Sequence, residues 1–197
     1  MTQLTLPNKT LAQTLWPAEN VLLRNILLAV VGSGALWVSA KINIPFWPVP
    51  LSMQTFVVLV IGMAMGSRLG VATVLLYLAE GALGLPVFSG TPEKGIGLAY
   101  MMSTTGGYLI GFVLAAGVVG YLAERGWDRS IFTTAVAMLI GNMVIYTIGL
   151  LWLGTVVGWD KPILEWGLMP FLLGDTVKLV LAAVSMPLLW RLFTKIK

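Results

Sequence analysis

The 197-residue chain contains no cysteine and no histidine. The first absence excludes disulfide scaffolds and thiol chemistry, and the two together remove the usual ligands of transition metals. Charge is almost as scarce. Asp, Glu, Lys and Arg supply 10% of the residues, whereas a soluble domain carries about 25%. A glycine-rich phosphate loop, a serine-centred triad and a solvent-accessible carboxylate pair are also missing, so neither ATP hydrolysis nor another enzymatic activity is expected of this chain, and no cofactor. The net charge of +4 is scattered. Without a concentrated basic stretch or a stacking motif, it does not point to nucleic acid. Residues 1–20 are polar and lack an apolar run with a cleavage site, which predicts a cytoplasmic N-terminal tail rather than a signal peptide.

What remains is hydrocarbon. Hydrophobic residues make up 58% of the sequence, and its length leaves room for about six spans. The apolar segments run over residues 21–40, 51–66, 69–85, 105–123, 131–153 and 168–190. Pro45, Pro48 and Pro50 make a rigid turn after the first, because each fixes φ and disfavours helix before it. Residues 86–104, rich in Gly, Ser, Thr and Pro, form a long loop, and such loops over sites are often lids. The expected fold is an all-α integral membrane protein of six transmembrane helices in one domain, residues 21–197, surrounded by lipid.

The cations orient it. With the N-terminus in the cytoplasm, Lys9, Arg24, Arg68, Arg125, Arg129, Arg191, Lys195 and Lys197 lie inside, and Lys41, Lys94 and Lys161 outside. Eight against three places both termini in the cytoplasm. Gln54, the stretches 84–88 and 104–108, and the Asp175/Lys178 pair then gather in the outer half. A pathway needs polar groups on both sides, whereas a site open to the outside needs them on one. The sequence shows the second.

Asp175 and Lys178 stand three residues apart in the last segment, on one helical face. Charges at that depth cost about 2.5–3.5 kcal/mol each and face a partner or a cavity. They are either a structural pair or the polar floor for a small ligand. Gln54 offers both a donor and an acceptor, to a ligand or to a neighbouring helix. Asn142, with Tyr146 one turn outward, suits an interhelical hydrogen bond or a ligand contact. Glu80 has no counterpart in the first five segments. It would pair with Lys178, sense protons or face the pocket mouth. Gly62, Gly66 and Gly70, like Gly107 and Gly111, recur at four-residue spacing and read as packing positions.

Five stretches in order give the chain a resemblance: Pro48-Val49-Pro50 with Gln54, Gly84 to Phe88, Thr105-Gly106-Gly107-Tyr108 with Gly111, the run from Gly141 through Tyr146 and Gly149 to Leu153, and Pro170-Phe171 with Gly174-Asp175 and Lys178. It resembles the BioY family, biotin-specific S components of energy-coupling factor (ECF) transporters. The resemblance implies a six-helix S component in a bacterial cytoplasmic membrane that captures biotin from outside. It also implies a transmembrane coupling subunit and two ABC-type ATPase subunits as partners. Asp175 and Lys178 match the family's acid and lysine for the bicyclic head group, with Gln54, Phe88, Tyr108, Asn142 and Tyr146 around it and Lys94 at the mouth for the carboxylate. The family's small-residue face for the coupling subunit corresponds to Ala29 with Ser33, or Ala35 with Ser39. An S component for another vitamin and a small ion-coupled carrier are the alternatives. The second rests on Glu80 alone and lacks internal repeats.

Overall fold

The computed structural model describes residues 9–44 and 46–194. After a short helix α1 (Leu11–Leu15), the long α2 (Val21–Lys41) leads into a two-residue antiparallel bridge between β1 (Asn43–Ile44) and β2 (Leu51–Ser52). Helices α3 (Gln54–Met65) and α4 (Ser67–Ala82) form a hairpin. They are followed by α5 (Gly97–Met101), α6 (Gly106–Ala123), α7 (Ile131–Val157), α8 (Ile163–Gly167) and α9 (Met169–Thr194). Side-chain caps start two of the long helices: Asn20 accepts from Leu23 N at the head of α2, and Ser130 from Thr133 N at the head of α7.

Among the described residues, four stretches are long and apolar enough to cross a bilayer: Val21–Lys41, Gly106–Ala123, Ile131–Val157 and Ile163–Phe193. Helices α3 and α4 have 12 and 16 residues. At about 1.5 Å per residue they reach roughly 18 and 24 Å, short of the ~30 Å hydrocarbon layer. The outward faces are apolar, with Val31, Val38, Leu139, Met143, Leu173 and Val180 all exposed. An exposed apolar surface this extensive is a lipid-facing one.

Close backbone approach holds the bundle. A Cβ on Gly62 would sit 2.6 Å from the Ala116 carbonyl oxygen, and one on Gly111 would sit 2.9 Å from Ile145 Cα. The four-residue glycine spacing therefore does pack α3 on α6 and α6 on α7. Gly66 is different. It turns the α3–α4 hairpin at φ +84°, and Glu124 caps the helix that follows by accepting from Ser67 N (2.8 Å) and Oγ (2.9 Å).

Element ends depart from the sequence expectation where polar chemistry intervenes. The third apolar segment stops at Ala82, before the positive-φ turn at Gly84, and the fifth runs on to Val157, where Gly158 ends it. The expected tail is docked in part: Thr10 caps α1, and Leu11 is buried in the core. The expected loop 86–104 contains α5 and has its own interior. Phe88 stacks on Tyr100 at 4.9 Å and meets Tyr77 edge-on at 5.5 Å. Tyr100 donates to Ser89 O, and burial pushes its phenol up to about 12, so it remains a donor across physiological pH. Lys41, at the end of α2, donates to Phe88 O (3.2 Å), Thr91 O (2.9 Å) and Thr91 Oγ1 (3.1 Å), tying the loop down.

Candidate ligand-binding site

The start of α3, the middle of α7 and the first turns of α9 converge on one carboxylate. Asp175 is 5% exposed. Its Oδ1 accepts from Lys178 Nζ (2.8 Å) and Thr55 Oγ1 (3.2 Å), and its Oδ2 from Tyr146 OH (2.5 Å). Lys178 Nζ also donates to Ser52 O (2.8 Å) and Thr55 Oγ1 (3.0 Å), so its three N–H groups all have acceptors. The pair is thus neutral in sum and satisfied, the condition under which buried ions persist. The short strand β2 matters here, because it turns the Ser52 carbonyl towards the ammonium just before α3 begins.

Above this layer lies a cavity of about 30 Å³, lined by Val49, Pro50, Gln54, Ser89, Tyr108 and Tyr146 among others. Tyr108, Tyr146 and Phe171 surround it as an aromatic wall, with ring centroids 6.0–6.4 Å apart. Tyr108 is fixed by donating to Gly167 O (2.8 Å). Gln54 donates to Tyr77 OH (2.7 Å), which in turn donates to Val87 O (3.0 Å), so a side chain of the site is wired to the 83–105 loop. Ser89 Oγ is buried against the cavity without a hydrogen-bond partner. Two loops close the top: Thr104 Oγ1 donates to Pro48 O (2.8 Å), Lys94 Nζ to Phe46 O (3.4 Å), and Trp47 meets Trp166 edge-on at 4.9 Å.

The structure brings together Gln54, Tyr108, Tyr146, Asp175 and Lys178. Asp175 and Lys178 do not themselves line the cavity; Thr55 and Tyr146, which do, hydrogen-bond Asp175, while Asp175 also lines an open groove of about 330 Å³ with Asn142 of α7 and Leu172 of α9. Phe88 sits in the core of the 83–105 loop, and Lys94 lies on its exposed side. Asn142 lines a separate void of about 10 Å³ beside Thr55 and Lys178, with its Oδ1 unpartnered. Glu80 does not reach Lys178; it accepts a hydrogen bond from Ser33 of α2. Ser33 and Ser39 are buried inward, Ala29 is half-buried and Ala35 is exposed. Sequence reasoning missed Ser52, Thr55 and Ser89. A signal existed for the first two, since Ser52, Gln54 and Thr55 interrupt an apolar run directly after a proline turn. Ser89 carried none.

The fold is that of an S component. It superposes on a crystal structure of the S-component for biotin from an ECF-type ABC transporter with a TM-score of 0.74, over 88% of this chain and 94% of that one, at 23% identity. The chain belongs to the BioY family, whose model matches residues 8–195. A probable biotin transporter BioY of Pyrococcus horikoshii is 37% identical over 75% of this chain and 84% of its own length. The biotin transporter BioY of Rhizobium etli is 38% identical over 76% and 82%. That of Thermotoga maritima is 35% identical over 82% and 93%.

Proposed function

We propose that this chain is the biotin-capturing subunit of an ECF-type uptake transporter. The observation that carries the reading is the buried Asp175–Lys178 pair beneath an aromatic-walled cavity, in a chain whose relatives are named biotin transporters. A ureido ring offers two N–H donors and one carbonyl acceptor, the complement of a carboxylate beside an ammonium. The thiolane ring and valeryl chain suit the walls of Tyr108, Tyr146 and Phe171. The valerate carboxylate points to the mouth, towards Ser89 and Lys94. Ligand pockets span about 300–1,000 Å³, so loading requires the 46–50 and 83–105 loops to lift from the 30 Å³ cavity.

The same reading covers topology and assembly. Six helices, α2, α3, α4, α6, α7 and α9, cross the membrane with both termini cytoplasmic, the short α3 and α4 doing so where the bilayer thins to match them. This is supported by the eight-to-three distribution of cations and by the even number of long elements. The membrane is the bacterial cytoplasmic one, and the partners are a coupling transmembrane subunit and two ABC-type ATPases. Ala29 and Ala35, the members of the small-residue pairs that are not buried inward, are the contact points on α2. Small molecules retained by the detergent-purified protein, analysed by mass spectrometry, test the function. Biotin in stoichiometric amount supports it. A different vitamin, retained where biotin is not, would replace it with the reading of an S component for that compound.

A further inference from the structure

Away from the cavity, α1, α2 and α4 line a recess of about 660 Å³ whose rim includes Ala29, the coupling-subunit contact proposed above, and whose charged groups that reading leaves without a role. Arg24 and Arg68 both line it. Arg24 is only 8% exposed, yet its hydrogen bonds go to neutral groups: Nε (3.2 Å) and Nη2 (3.0 Å) to Asn25 Oδ1, and Nη1 (3.3 Å) to Trp16 O. A guanidinium has five N–H donors, so donors remain. Among the described residues, Arg68 makes no hydrogen bond or ion pair and neither arginine has a carboxylate within ion-pair distance. Glu124 shares the recess with Oε1 accepting from Ser67 N and Oγ; it keeps its charge, so Arg24 and Arg68 against Glu124 leave the recess with one positive charge in excess. A buried cation without an anion is a costly arrangement, and it marks where an anion belongs. Away from the arginines the walls turn apolar, with Ile26 and Leu28 of α2 and Leu69 and Ala72 of α4. A soluble anion has no use for such walls, whereas acyl chains do.

We propose that this recess seats an anionic phospholipid, its phosphate on Arg24 and Arg68 and its acyl chains along α2 and α4. The orientation proposed above puts the recess in the cytoplasmic leaflet, where anionic lipids concentrate. The chemistry at the arginines is shared with free phosphate, and the test separates the two. Native mass spectrometry of the full chain in detergent is run with added phosphatidylglycerol, with added phosphatidylcholine, and with phosphatidylglycerol against excess inorganic phosphate. Phosphatidylglycerol is expected to bind about tenfold more tightly than phosphatidylcholine, whose choline cation the two arginines repel although its phosphate is the same, and to resist displacement by phosphate. Arg24→Gln with Arg68→Gln should erase the preference. Arg68→Gln alone, at an exposed side chain, and Ala72→Trp, which fills the apolar wall, should each weaken it in case the buried Arg24 variant does not fold. Equal binding of the two lipids, or a preference that survives all the variants, overturns the proposal. Displacement by phosphate overturns the lipid in favour of a soluble anion. Biotin binding in the same samples keeps this result separate from that of the functional reading.

Discussion

Asp175 divides its two oxygens among Lys178, Thr55 and Tyr146, and Lys178 is held in turn by Ser52 and Thr55. Removing the cation alone leaves a buried carboxylate with only neutral donors. Lys178→Met should therefore destabilise the protein by about 3–5 kcal/mol, seen as a lowered thermal unfolding midpoint in detergent. A midpoint equal to wild type would mean that water reaches Asp175. Ser89 presents the opposite case, a buried hydroxyl with no partner against the cavity. Ser89→Ala removes a hydroxyl that the closed structure leaves unsatisfied, so stability should hold or rise, while biotin affinity falls by about 1 kcal/mol, roughly fivefold. Isothermal titration reads the second and thermal unfolding the first. A loss of stability without a change in affinity would reassign Ser89 to the fold.

At the scale of elements, Thr104 Oγ1 to Pro48 O (2.8 Å) ties the 83–105 loop to the 46–50 loop and is shorter than the other side-chain hydrogen bond between them, Lys94 Nζ to Phe46 O (3.4 Å). Thr104→Val keeps the shape and deletes that bond. Association and dissociation of biotin should both quicken in stopped-flow traces, with a smaller change in their ratio; unchanged rates would remove the 46–50 loop from the gate. On the other face, Asp128 in the turn between α6 and α7 is 1% exposed and accepts from Trp190 Nε1 of α9 (2.5 Å). Burial raises its carboxyl above the ordinary range, partly offset by the Trp190 N–H and by Arg129. An acid raised in this way contributes most below the ordinary carboxylate range, and that contribution is lost as pH climbs through its folded-state value. Asp128→Asn keeps the acceptor for Trp190 without the charge. Its unfolding midpoint should exceed that of wild type at pH 8 and converge with it towards pH 4. A gap that is constant with pH would show that the charge carries no cost.

Across the whole molecule, what was legible in the sequence was what periodicity and composition encode. The long apolar helices, the packing glycines at 62 and 111 and the Asp175–Lys178 pair all follow from spacing along one helix or from contrast with hydrocarbon. The missed features depend on contacts distant in sequence. Glu80 meets Ser33 47 positions away, Thr55 meets Asp175 across 120, and the loop core around Phe88 requires Tyr77 and Tyr100 to arrive from either side. Gly66 looked like its packing neighbours because a turn and a close contact both select glycine. The central claim is that the layered site, ion pair below and aromatic cavity above, binds biotin. An equilibrium titration of the purified protein with biotin, wild type beside Asp175→Asn, tests it most directly, because the substitution keeps the shape and removes the charge. Wild type should bind one biotin per chain, and the variant should bind at least about 2 kcal/mol more weakly, roughly 30-fold. Saturable binding that is identical in the two would contradict the account and leave Asp175 and Lys178 as a structural pair.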